Sequence, residues 1–247
     1  MIPNPIRKVL SSMRAHRVRA LLMGGQACVF YGAAEFSRDT DFAILADPRN
    51  LARLRAALKD LQARVIAVPP FEVRFLRRGH AIHFRCRHPE ALGMRIDVMS
   101  RMRGVDPFPK LWARRTTVEL PDESLCDLLS LPDLVQAKKT QRDKDWVMLR
   151  RLLEAHFFQN RKKPTAEKVR FWLRELRTPE LLIEVAQAHP RLCSRLEAAR
   201  PLLALVTVGQ EVALAQTLKE EEQQERERDR QYWLPLKSEL ETLRHLR

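Results

Sequence analysis

Apolar positions first recur at helical spacing, as Ile6, Val9, Leu10 and Met13 between Pro5 and His16, which predicts an amphipathic helix. An apolar strand near Val18 to Met23 comes next and ends in Gly24-Gly25, and a short helix from about Gln26 to Tyr31 follows. The chain is strand-like again from Thr40, so that Phe42 and Ile44 point one way while Asp39, Asp41, Ala43 and Leu45 point the other. Asp47-Pro48 has the form of an N-cap with proline at the first helical position, opening a helix with Leu51, Leu54, Leu58 and Leu61 on one face.

Between Phe71 and Ser100 the period changes to two. Glu72 to Leu76 reads as a strand closed by a turn at Arg78-Gly79, Ala81 to His88 as a second and Met94 to Met99 as a third, together a meander with one packed and one polar face. In the second strand Ile82, Phe84 and Cys86 alternate with His83, Arg85 and Arg87, residues suited to touching phosphate or RNA as a group and, each taken alone, to a solvated strand face. Arg114 to Leu120 and Leu125 to Leu131 follow as further short extended segments. Beyond Phe157 the pattern is helical, over Thr165 to Arg177, Thr178 to His189, Arg191 to Arg200 and Leu202 to Leu218, punctuated by Pro164, Pro179, Pro190 and Pro201. Glu220 to Arg230 is a mixed charge run, and Trp233 to Leu243 is a candidate final helix. The expected class is α+β: a small mixed β-sheet with flanking helices over 1–130 and an all-helical region over 131–247.

Composition narrows the setting. Four widely spaced cysteines, Cys28, Cys86, Cys126 and Cys193, with no CxxC, argue against a disulfide framework and for a reduced cytoplasm. Met1-Ile2-Pro3-Asn4-Pro5 lacks the apolar core of a signal peptide, and the most apolar run, Leu202 to Leu218, is broken by Gly209, Gln210, Glu211 and Gln216, so no membrane association is expected. Lys plus Arg number 45 against 31 Asp plus Glu, a net charge of +14 that favours a polyanionic partner. Arg74 to Arg115 alone carries eleven basic and three acidic residues. An arginine-rich composition also arises without function, from a GC-rich genome.

The chemistry gathers on a few positions. Two glycines after a strand let the backbone turn sharply and approach a bound anion. Asp39 and Asp41 stand side by side, and Asp97 lies in an apolar strand where an ionised carboxylate needs a partner. Three carboxylates meeting from neighbouring strands would suit a hard divalent cation. His80, His83, Cys86 and His88 match no strong zinc spacing.

The strand ending in Gly24-Gly25, thirteen intervening residues, the Asp39-Thr40-Asp41 pair with Ser37 before it, and the later Asp97 resemble the DNA-polymerase-β-like nucleotidyltransferase superfamily. The chain looks most like its small bacterial abortive-infection and toxin–antitoxin members. Asp133-Leu134 with Lys138, followed by Arg142, Lys144 and Asp145, is similar to a helix and turn that often follow the sheet in that family. Thr40 departs from the usual apolar residue between the aspartates, and an alternative register would put Asp41 first and Ala43 second, removing one ligand. The resemblance implies a nucleotidyltransferase fold and transfer of a nucleoside monophosphate from a nucleoside triphosphate to an unidentified hydroxyl acceptor, for which RNA such as tRNA is a candidate. It implies two Mg²⁺ ions, or Mn²⁺, on Asp39, Asp41 and Asp97 as metal ligands and catalytic groups, with Gly24, Gly25, Ser37, Lys138 and Arg142 on the nucleotide. The helical region would bind the acceptor, a partner protein or a second copy of the chain. Two alternatives stay open: a catalytically degenerate nucleotidyltransferase-fold protein that binds nucleotide or RNA through its basic surface, and a basic nucleic-acid-binding module with structural aspartates.

Overall fold

A computed structural model of the 247-residue chain describes residues 4–34, 36–120, 122–207 and 210–246. Met1 to Pro3, part of the segment compared with a signal peptide, and Gly209, one of the breaks in the apolar run, lie outside them.

The chain forms two compact units, Met1–Phe30 with Ala34–Ala137 and Tyr232–Arg247, and Tyr31–Ala33 with Lys138–Gln231. The first unit contains α1 (Asn4–Ala15), β1 (Ala20–Met23), α2 (Gly24–Phe30), β2 (Asp39–Ile44), α3 (Pro48–Asp60), β3 (Arg64–Val65), α4 (Val73–Arg78), β4 (Ile82–Arg85), β5 (Arg95–Met99), α5 (Phe108–Ala113), β6 (Thr116–Glu119), β7 (Leu125–Leu128) and α6 (Leu131–Ala137). Its seven-stranded sheet has the order β3-β4-β5-β2-β1-β7-β6. The β2–β5 and β1–β7 pairs are parallel and the others antiparallel, which makes the fold α+β with a mixed sheet.

Alternation holds across the centre of that sheet. Phe42 pairs with Val98, Ile82 with Val98, and Phe84 with Ile96, and all of these are buried. In-register partners share a face, so their odd-numbered neighbours collect on the other. Helices α1 and α3 bury the apolar stripes read from the sequence, and Ser12 Oγ donates to the carbonyl of Ala57 between them at 3.2 Å. Asp47 caps α3 by accepting from the Asn50 amide at 2.7 Å. Asn50, itself buried, ties two strand ends together by accepting from the Arg19 amide and donating to the carbonyls of Arg19 and Leu45.

One expected strand is a helix. Glu72 to Leu76 falls largely within α4, whose C-cap Gly79 adopts φ 108° while its amide donates to Leu76 and Phe75 carbonyls. Phe75 and Leu76 are both buried, which a strand alternating between faces does not allow for consecutive residues but a helix does. The outer partner of β4 is instead the two-residue strand β3.

The second unit is helical, with α7 (Asp143–Asn160), α8 (Ala166–Glu175), α9 (Pro179–Ala188), α10 (Pro190–Leu196), α11 (Leu203–Thr207) and most of α12 (Glu211–His245), whose residues from Tyr232 onward group with the first unit. Proline opens α9 and α10 at the position where its missing N–H costs nothing. Phe157 and Trp172 pack edge to face with centroids 5.1 Å apart. Arg200 is buried and satisfied by Glu221 and by the carbonyls of Leu173 and Leu176. The run expected as one helix over Leu202 to Leu218 is divided between α11 and α12, and Trp233 to Leu243 is no separate helix but continues α12 through Pro235. Among the described residues no helix is long and apolar enough to cross a membrane.

Candidate functional site

Strand register brings the predicted carboxylates together. Asp41 faces Met23 across the antiparallel β1–β2 pair and Asp97 across the parallel β2–β5 pair, while Asp39 faces Arg95. On the far side of β5, His83 faces Asp97 and Arg85 faces Arg95. Adjacent strands are about 4.8 Å apart, so Asp39, Asp41 and Asp97 lie on one face within the reach of neighbouring side chains.

The glycine bend rests on this group. Gly24 has φ 66°, and a Cβ there would lie 1.9 Å from Asp41 Oδ2. A Cβ on Gly25 would lie 2.7 Å from Ser37 Oγ. The Ser37 hydroxyl donates to the backbone carbonyl of Asp39 at 3.2 Å, fixing the entry into β2. Six of the predicted residues, Gly24, Gly25, Ser37, Asp39, Asp41 and Asp97, therefore form one cluster.

A cation stands among the carboxylates. Arg95 Nε donates to Asp97 Oδ1 at 2.8 Å. The hydrogen bond to Asp97 raises the Arg95 pKa, burial opposes it, and the charges of Asp97, Asp39 and Asp41 all add to the rise. Burial acts to raise the Asp97 carboxyl, but hydrogen bonds from His83 and Arg95, together with their charges, hold it below its ordinary range. His83 Nδ1 lies 2.8 Å from Asp97 Oδ1 and 3.0 Å from Arg95 Nη2. One ring nitrogen carries either a proton or a lone pair, so it serves Asp97 as donor or Arg95 as acceptor, not both.

Carboxylate oxygens are the kind of donor a hard divalent cation takes. Within the described residues Asp97 Oδ2 has no hydrogen-bond partner, nor has the Asp39 carboxylate. Among the described residues, however, no three acidic, histidine or cysteine side chains already stand as a ligand set, and Asp97 is turned onto Arg95 and His83.

Lys138 and Arg142 belong to the second unit, where they converge on Asp145. Lys138 Nζ donates to Asp145 Oδ1 at 3.0 Å, while Arg142 Nε and Thr140 Oγ1 donate to Oδ2 at 2.7 and 2.6 Å. Asp145 is 2% exposed; burial acts to raise its pKa, but the Lys138 charge, the Thr140 hydrogen bond and Arg142 hold it low. Of the other histidines, His80 is buried against Glu239 at 2.7 Å and His88 accepts from the Glu90 amide at 3.2 Å.

Sequence reasoning missed Arg95. Its signal was its position two residues before Asp97, which places both side chains on one face of any strand.

Fold and site define an α+β protein that carries three carboxylates and a guanidinium on one sheet face beneath a glycine bend. No protein-family profile matches the chain, and no curated protein shows a significant match to it.

Proposed function

We propose that the chain is a magnesium-dependent nucleotidyltransferase of the DNA-polymerase-β-like kind, transferring a nucleoside monophosphate from a nucleoside triphosphate to a hydroxyl acceptor. The observation that carries this reading is the Asp41–Asp97 register with Gly24 pressed onto Asp41. Bound at Asp39, Asp41 and Asp97, Mg²⁺ or Mn²⁺ would activate the hydroxyl and neutralise the departing pyrophosphate. Gly24 and Gly25 leave the backbone bare of side chains where phosphates approach. The acceptor oxygen bonds to the α-phosphorus, the bond between that phosphorus and the bridging oxygen to the β-phosphate breaks, and the hydroxyl proton passes to Asp97. Its hydrogen bonds now lower the basicity of Asp97, so proton acceptance goes with release of Oδ1 from Arg95 and His83.

Moving Lys138 and Arg142 onto phosphate would leave Asp145 buried without its counter-ions, at a cost of about 3–5 kcal/mol. Their work in this reading is to hold Asp145.

Asp41→Ala should abolish transfer of labelled nucleotide to cell-extract acceptors while leaving the circular dichroism spectrum unchanged; a purified variant with full turnover overturns the assignment. The occupation of Asp97 Oδ1 favours one second reading, a degenerate fold that binds nucleotide or RNA without transfer. Calorimetry separates the two, because triphosphate binding that depends on magnesium belongs to the active site, and binding indifferent to magnesium belongs to the degenerate one.

A further inference from the structure

The face that carries the carboxylates continues into a row of arginines. Arg64 on β3 pairs with Arg85 on β4, and Arg85 pairs with Arg95 on β5, which pairs with Asp39 on β2. In-register partners share a face, so the three arginines rise from one face at intervals of about 4.8 Å, with the Arg95 guanidinium turned onto Asp97 and His83. Arg64 and Arg85 are exposed. Within the described residues neither has an acidic partner. Like charges directly opposite one another destabilise a sheet. Arg95 is answered by Asp97, but Arg64 opposite Arg85 brings the fold nothing, and their positive charge calls for a ligand with repeated negative charge.

We propose that Arg64, Arg85 and Arg95 form a ladder that binds the phosphate backbone of a nucleic-acid strand. A single phosphate or small anion would need one or two of these groups, whereas a ladder of about 10 Å suits about two consecutive backbone phosphates. Sheet order adds a direction. The ladder lies on the β3–β4–β5 side of Asp39 and Asp41, while the glycine bend follows β1 on the other side. In-line phosphoryl transfer needs attacking and leaving groups on opposite sides of the phosphorus. On the nucleotidyltransferase reading, on which this last step rests, the bound strand is therefore the acceptor and presents its hydroxyl from the ladder side.

The test is binding of fluorescein-labelled twelve-nucleotide oligouridylate and oligothymidylate to the full chain, followed by anisotropy across a potassium chloride series without metal or triphosphate. Each arginine on a phosphate contributes about 0.7 to the slope of log affinity against log salt for single strands. Arg64→Gln/Arg85→Gln should lower that slope by about 1.4 and weaken binding about 25-fold near 0.1 M salt. Arg64→Lys/Arg85→Lys, which keeps the charge, should restore most of the affinity. Arg150→Gln/Arg151→Gln removes the same net charge from exposed positions on α7 and should bind within about twofold of the parent. A ladder variant that binds like the parent overturns the proposal, and so does an equal loss in the Arg150 and Arg151 control. Loss in either the RNA or the DNA arm supports the ladder and identifies the sugar it accepts. A parent chain that binds the strand but transfers no nucleotide removes the enzymatic reading and leaves the ladder standing.

Discussion

Replacing Gly24 by alanine tests the contact on which the site is built. The residue has φ 66°, where an L-side chain costs about 1–2 kcal/mol, partly offset by about 0.4–1 kcal/mol from the stiffer unfolded chain. A Cβ there would also lie 1.9 Å from Oδ2, 2.5 Å from Cγ and 2.8 Å from Cβ of Asp41. Rotating the Asp41 side chain moves its oxygens but not its Cβ, so β2 or the bend itself must shift, an overpacking cost of about 1–3 kcal/mol. Gly93 is the matched control: φ is 77° and nothing lies within 4 Å of an added Cβ. Gly93→Ala should therefore lose only the backbone part, and Gly24→Ala about 1–3 kcal/mol more. At about 2–4 °C per kcal/mol for chains of this size, calorimetric midpoints of the two variants should differ by roughly 5 °C. Equal midpoints would refute the close approach of the bend to Asp41.

Other consequences can be measured directly. Asp145→Asn should cost about 3–5 kcal/mol in urea unfolding at pH 7, since Lys138 would lose its buried counter-ion. The Asp145 pKa is lowered on folding, so its stabilisation is complete above the unfolded value of about 3.9 and fades as pH falls through the lower folded value. The gap between parent and variant should thus narrow below about pH 4, and a gap independent of pH would contradict the pairing. Glu239→Ala should cost about 1–3 kcal/mol, because His80 is buried, its Nδ1 has no partner among the described residues, and Nε2 would lose the carboxylate that also pairs with Arg78. A thermal midpoint unchanged in this variant would show that the ring finds another acceptor.

Local signals carried much of the fold. Asp47-Pro48 reads as a helix start because the capping hydrogen bond and the proline φ are decided within four residues. The alternation of β2, β4 and β5 was equally legible, since one face of each is packed. Short runs were not. Phe75-Leu76 suits a strand or a single helical turn, and only burial of both side chains decides between them. Two-residue β3 has no pattern to read, and Pro235 inside α12 runs against the rule that proline ends a helix. The meeting of the carboxylates was legible in the sequence, but the cations paired with them and with Asp145 were not. That Lys138 and Arg142 both pair with Asp145 depends on where Asp145 is buried.

Arg95 changes the electrostatic argument for the site. Three carboxylates on one face carry up to three negative charges; Arg95 feels all of them, and His83 stands with it against Asp97. On the nucleotidyltransferase reading a divalent cation would meet Asp97 Oδ2 and the Asp39 carboxylate, which have no hydrogen-bond partner within the described residues. Arg64 and Arg85 extend away from the carboxylates along the same face, so that a positive strip lies beside the three aspartates.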